Sequence, residues 1–191
     1  MNAPLFVAAV PGEVTQLPEG TPLLITGIGT LAAAITLTET LVQARAEDRL
    51  PSRIINVGTA GALRDEHPDG VFEITQVHKH DFNSEAVPGV AENFLPAEFN
   101  LEVSGLLPTA QLATGDTFVE DTQTRDRLAK RAGLVDMEGY AVVAVARRFG
   151  VPVTLLKQIS DHANEETASG WASSLDRGAH QLSEAVERLG F

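Results

Sequence analysis

The chain has 191 residues, 43% of them hydrophobic, which suits one domain over 1–191 with one large core. Its 26 Asp and Glu against 14 Lys and Arg give a net charge of -12, which argues against nucleic acid and against an anionic membrane surface as partners. Cysteine is absent, so neither a disulfide framework nor a thiolate metal site is open to the chain.

The opening Met1 to Val10 is apolar, carries no basic leader and runs into a Pro11-Gly12 turn. It reads as a buried first strand, Leu5–Val10, and not as a signal peptide. No apolar run is long enough to span a bilayer, so a cytoplasmic protein is expected. Leu23–Thr26 reads as a second strand, then Gly27-Ile28-Gly29 opens a helix near Thr30–Arg45 with Glu39 on its outer face. Arg53–Val57 is a third strand, ending in a Gly58-Thr59-Ala60-Gly61 turn, and Val71–Val77 alternates like a half-buried strand. Residues 81–108 show no clear pattern.

Beyond them, Gln111–Thr114 is a strand and Asp121–Arg131 an exposed helix of mixed charge. Leu134–Met137 leads into a helix over Glu138–Phe149, which Gly150 stops. Val151–Ile159 is a long apolar strand followed by a polar loop through Gly170. Ser173–Leu189 is an amphipathic terminal helix, with Ser173 or Ser174 as its cap. Strands alternating with helices imply an α/β layer fold with a largely parallel sheet. Ligands bind such sheets beyond the carboxyl ends of the strands, which directs attention to 11–13, 27–30, 58–61, 115–119, 137–138 and 160–162.

Those segments hold the unusual residues, and each also has a plain structural reading. Asp161 ends the most apolar strand. Partial desolvation there would raise its pKa and suit it to give up a proton, while Asp161 or Ser160 equally serves as a turn cap. Glu138 stands where a strand becomes a helix. It can accept two hydroxyl hydrogen bonds, such as those of a ribose diol, and the helix N-terminus would favour its ionised form, but Glu is common in a first turn. Glu13 follows the first strand as either a functional or a surface carboxylate, and Phe118 after Gly115-Asp116 either covers a flat base or joins the core. Gly27 to Ala32 fits a loose dinucleotide fingerprint, yet the next strand ends without the acidic residue that would hold a ribose. The five His residues show no metal spacing, and His78 and His80 would share one face of a solvated strand.

In order along the chain, Ala9-Val10-Pro11-Gly12-Glu13-Val14, Thr26-Gly27-Ile28-Gly29, Asn56-Val57-Gly58-Thr59-Ala60-Gly61, Thr114-Gly115-Asp116-Thr117-Phe118-Val119, Val135-Asp136-Met137-Glu138-Gly139 and Ile159-Ser160-Asp161 form one set. The set resembles the purine nucleoside phosphorylase/hydrolase superfamily, and within it the methylthioadenosine/S-adenosylhomocysteine nucleosidases. The resemblance implies a three-layer α/β/α fold with a central mixed, largely parallel sheet. It also implies hydrolysis of the N-glycosidic bond of a 6-aminopurine nucleoside without cofactor or metal, by a homodimer.

The same resemblance implies the roles. Asp161 would hydrogen-bond and protonate N7 beside the 6-amino group, and Glu13 would activate water. Glu138 would hold the ribose hydroxyls with Met137 under the sugar and Thr59 and Ala60 along it. Phe118 would stack on the base, the Val119 backbone would read its edge, and Ser160 would sit beside the acid. Trp171 would lie over the 5′ substituent, with Ile28, Phe82 and the His80-Asp81 pair near that end or a dimer contact. Lys157 stands where the relatives carry Arg, and Lys makes no bidentate contact. A futalosine-type hydrolase, a phosphate-dependent phosphorylase and a non-catalytic nucleoside-binding module remain as alternatives. The first would favour Asn at position 161, the second needs cations in the early loops, and the third has no use for Glu13.

Overall fold

The computed structural model describes residues 2–82, 93–165 and 167–191, with the backbone alone for 168–173. Eight strands form one sheet: β1 Leu5–Ala8, β2 Leu23–Ile25, β3 Ile54–Ala62, β4 Val71–Lys79, β5 Glu98–Asn100, β6 Thr109–Thr114, β7 Leu134–Asp136 and β8 Val153–Asp161. Four helices accompany them: α1 Thr30–Ala46, α2 Thr122–Leu128, α3 Gly139–Phe149 and α4 Thr167–Leu189. A 3-10 turn over Pro11–Glu13 follows β1. Among the described residues no helix is long and apolar enough to cross a membrane.

The sheet is mixed. β1 pairs β2 and β3 in parallel, β3 pairs β8 in parallel, and β6 is parallel to both β4 and β7. Antiparallel seams join β3 to β7, β4 to β8 and β4 to β5. Consequently β3, β8, β4, β6 and β7 close on one another as a ring, with β1 and β2 extending it at one side. Successive strand residues face opposite sides, so Ile54 and Leu155 join one buried cluster while Ile55 and Leu156 join another. Leu37 and Leu41 of α1 and Val142 and Ala146 of α3 complete the first cluster; Leu182, Ala185 and Val186 of α4 complete the second. Burial on both faces suits Val153, Leu155, Leu156 and Ile159 of β8, and it encloses Thr154, Lys157 and Gln158 of the same strand as well. It also explains why β4 does not show the half-buried alternation expected of it: six of its nine residues are buried.

Several expected boundaries move. Gly58–Gly61 is not a turn after β3 but part of the strand, because β8 keeps pairing with it as far as Asp161. The strand bends there through an irregularity between Ala60 and Gly61 and then meets β7. Residues 98–100 form β5 in a region that shows no sequence period, since three residues are too few to display one. Helix α4 starts at Thr167, well before Ser173, and Ser174 is buried within it. Small and polar residues there hid the helical pattern. The first strand ends at Ala8 and not Val10, and α2 ends at Leu128 and not Arg131, whereas Gly150 ends α3 as expected, in the left-handed conformation at φ 69°.

Candidate active site

The bend in β3 brings three strand ends together. Register sets Gly58 beside Lys157 of β8 and Gly61 beside Val135 of β7, so the segments following β7 and β8 meet across β3. A cavity of about 250 Å³ opens there. Glu13, Ile28, Thr59 and Ala60 line one part of it. Phe118, Val119, Met137, Glu138, Ser160 and Asp161 line another part, beside Asp136. Trp171 lies in α4, but its side chain is outside the described residues. Phe82 is exposed and packs edge-on against Phe94, Asp81 pairs with Lys79 at 2.8 Å, and the His80 ring lies against Gly115; none of the three lines the cavity. His78 is buried, so the solvated strand expected around it is not what forms.

Glu13 is buried and held at both oxygens. Its Oε2 accepts the Ala9 and Val10 amides at 3.1 and 3.3 Å, and its Oε1 accepts the Thr59 amide at 2.8 Å and the Thr59 hydroxyl at 3.0 Å. The glycine at 58 is required by this approach: a Cβ there would stand 3.1 Å from Glu13 Oε1. Asp161 is half-buried. Its Oδ2 accepts the Ser160 hydroxyl at 2.6 Å, and its Oδ1 accepts the Ala163 amide at 2.8 Å and the Thr167 hydroxyl at 3.0 Å.

Glu138 departs from expectation. It caps α3, but its side chain makes no bond to that helix. Its Oε1 instead accepts the amide of Gly29, the residue that caps α1, at 2.8 Å. Burial, then the neighbouring Asp136 carboxylate, push its pKa up to about 7 against the opposing pull of Lys157. The ionised form is therefore not favoured by its own helix, because the carboxylate is buried away from that helix and beside a like charge.

Two further residues shape the site: Asp136, a lining residue with no role in the sequence reading, and Lys157, buried behind it and noted in the sequence only as standing where the relatives carry Arg. Asp136 Oδ2 pairs with Lys157 Nζ at 2.8 Å and accepts the Gly139 amide at 2.8 Å, while Oδ1 accepts the Thr114 hydroxyl at 2.5 Å. Lys157 is 1% exposed. Burial alone would lower its pKa, yet the charges of Asp136, Glu138 and Glu13 hold it above the usual value. A Lys between Leu156 and Gln158 in a strand that starts apolar is the signal that was legible, since a buried Lys almost always has a partner.

The lining itself contains four carboxylates, Glu13, Asp136, Glu138 and Asp161, and no Lys or Arg. Among the described residues no cluster of three or more His, Cys, Asp or Glu suits a metal ion. Such a lining offers donors and acceptors to a diol and a heterocycle, and repels an anion.

Known proteins resemble this chain in sequence and in fold. A 5′-methylthioadenosine/S-adenosylhomocysteine nucleosidase of Bacillus thuringiensis subsp. konkukian is 31% identical over 182 residues, covering 82% of this chain and 74% of the relative. A protein of the same description from Bacillus cereus strain B4264 matches to the same extent. Among solved structures, a futalosine hydrolase mutant of Helicobacter pylori superposes with a TM-score of 0.83 at 20% identity, covering 100% of this chain and 99% of the other. An inhibitor complex of the Helicobacter pylori 5′-methylthioadenosine/S-adenosylhomocysteine nucleosidase superposes with a TM-score of 0.83 at 21% identity, covering 99% and 97%. The profile of the Phosphorylase superfamily matches residues 12–189, from the turn that carries Glu13 to the end of α4. The chain belongs to the phosphorylase superfamily.

Proposed function

We propose that the protein is a nucleosidase that hydrolyses the N-glycosidic bond of a 6-aminopurine nucleoside and releases adenine. The observation that carries this is the pair of carboxylates, Glu13 and Asp161, which face one cavity from different elements with no basic residue in its lining. A ribosyl–purine bond breaks through an oxocarbenium-like state, so the base must leave neutral. Asp161 protonates N7, and a well-placed general acid is worth roughly 10²–10⁴ in rate. Glu13, held by three amides and the Thr59 hydroxyl, takes a proton from water on the opposite face of the sugar at Oε1, where the Thr59 hydroxyl rotates to give way. Glu138 accepts the ribose hydroxyls, with Met137 beneath the sugar and Thr59 and Ala60 along it. Phe118 stacks on the base and Val119 reads its edge through the backbone.

Hydrolysis is favoured over phosphorolysis because phosphate needs a cationic cradle. No Lys or Arg lines the cavity, and Lys157 is buried and paired with Asp136. Asp161, as Asp and not Asn, favours a 6-amino over a 6-oxo base. The reading carries a three-layer α/β/α arrangement with a largely parallel sheet, supported by the two clusters on opposite faces of the central strands. It also carries a cytoplasmic homodimer working without a cofactor.

The test is a panel of purine nucleosides with and without phosphate, assayed for free base and ribose 1-phosphate. The panel spans 5′-methylthio, 5′-homocysteinyl, 5′-deoxy and plain adenosine, with inosine, futalosine and adenosine 5′-phosphate as contrasts. Adenine should appear at a rate independent of phosphate, and adenosine 5′-phosphate should be a poor substrate. Phosphate-dependent release would make the protein a phosphorylase. Faster cleavage of inosine or futalosine would remove the role given to Asp161.

A further inference from the structure

Of the three donors that the described residues give Asp161, two, the Ala163 amide and the Thr167 hydroxyl, come from residues outside the cavity lining. Thr167 is the first residue of α4 and is buried. Its Oγ1 accepts the Asn164 amide at 2.9 Å and donates to Asp161 Oδ1 at 3.0 Å. The Asn164 amide brings its own hydrogen, so the single Thr167 hydroxyl proton is committed to Asp161. The Ala163 amide donates to the same oxygen at 2.8 Å. Both acceptor positions of Oδ1 are thereby engaged, and a proton on Oδ1 would have to displace one of them.

Oδ2 stands in a different environment. Its donor is the Ser160 hydroxyl, at 2.6 Å, and that hydroxyl has a second acceptor in the Ala60 carbonyl at 3.4 Å. Ser160 can thus turn its proton toward Ala60 when Oδ2 is protonated, and toward Oδ2 when it is not. Thr167 has no such freedom.

We propose that Thr167 is a positioning residue for Asp161: by engaging Oδ1 it assigns the transferable proton to Oδ2 and fixes the plane of the carboxyl group. The proposal rests on the nucleosidase reading. In the reaction the Oδ2–H bond breaks and the N7–H bond forms. The electron pair of the C1′–N9 bond returns to the purine, and the water oxygen bonds to C1′ while its proton passes to Glu13 and on to solvent. Ser160 then donates to the ionised Oδ2 until solvent returns a proton to it.

Two variants and two readouts test this. Thr167→Val keeps the shape and removes the donor; Thr167→Ser keeps the donor. The Asp161 carboxyl carbon, assigned by its loss in Asp161→Asn, is titrated by NMR without substrate. In Thr167→Val the midpoint should rise by about one pH unit, because the ionised form loses a hydrogen bond. In Thr167→Ser it should stay at the wild-type value. With substrate, Thr167→Val should lower kcat roughly tenfold at nearly constant KM and move the high-pH limb of the kcat profile upward. An unmoved midpoint in Thr167→Val overturns the proposal. An equal shift in Thr167→Ser also overturns it, since packing and not the hydroxyl would then be responsible. A wild-type protein that releases no base overturns the nucleosidase reading, while the titration still decides what Thr167 does to the carboxyl.

Discussion

Lys157 and Glu138 carry the electrostatics of the site. Lys157 is one cation among Glu13, Asp136 and Glu138, all buried. Replacing it by Met leaves Asp136 charged and unpaired, and should destabilise the fold by about 3–5 kcal/mol, read by urea or thermal unfolding. Glu138 works in the opposite sense. Its folded pKa, about 7, lies above the ordinary 4.5, so the native protein binds a proton that the unfolded chain has lost. The stability this contributes is present at low pH and falls as pH rises from about 4.5 through 7. Glu138→Gln keeps an acceptor for the Gly29 amide and removes the buried charge. It should therefore raise the Tm at pH 8, with little change near pH 4.5, while abolishing tight binding of the ribose diol. For the wild type, KM should rise as pH falls below about 7, because a protonated Glu138 is a poorer acceptor for two hydroxyls. A KM that is flat from pH 8 to 5.5 would count against the diol role.

At the scale of elements, the bend of β3 builds the site. Gly61 lies just past its irregularity, where a Cβ would stand 3.0 Å from the Ala163 Cβ, 3.1 Å from Asp161 Oδ1 and 3.3 Å from Val135. All three neighbours belong to packed segments, so Gly61→Ala should cost roughly 1–3 kcal/mol of stability and displace the acid. Its kcat should fall by more than its KM rises; equal activity to wild type would show that the segment after β8 adjusts freely. Most elements were legible in the sequence: β1, β2, α1, β6, α3 and β8 follow apolar runs or helical spacing that neighbours do not override. The exceptions share a cause. The second half of β3 looks like a glycine turn because glycine there answers to Glu13 and Asp161 across the sheet, not to a local turn. The first turns of α4 look like a loop because small and polar residues there show no helical period, and the Thr167–Asp161 bond at their start joins residues that no such period relates.

For the molecule as a whole, α1 is the outstanding feature. Leu37 and Leu41 point into the core, while Leu31, Ile35 and Val42 form a second apolar stripe on the opposite side, with Leu31 71% exposed, and Ile28, just before the helix, is exposed as well. Ile28 also lines the cavity. This stripe is the face we propose as the dimer contact. Leu31→Glu with Ile35→Glu should convert the protein to a monomer in light scattering and lower its activity through the neighbouring cavity. A wild type that is monomeric at micromolar concentration would remove the dimer reading. By itself the sequence determined the α/β class, the order of the motifs and the residue types suited to acid, base and diol, because these follow from periodicity and from side-chain chemistry along the chain. Only the tertiary structure decided which of those residues meet. The closed ring of strands brings Glu13, Glu138 and Asp161 around one cavity, buries Lys157 beneath them and sets Thr167 against the acid. Contacts of that kind depend on sheet register and burial between segments far apart in the chain, so no local pattern encodes them.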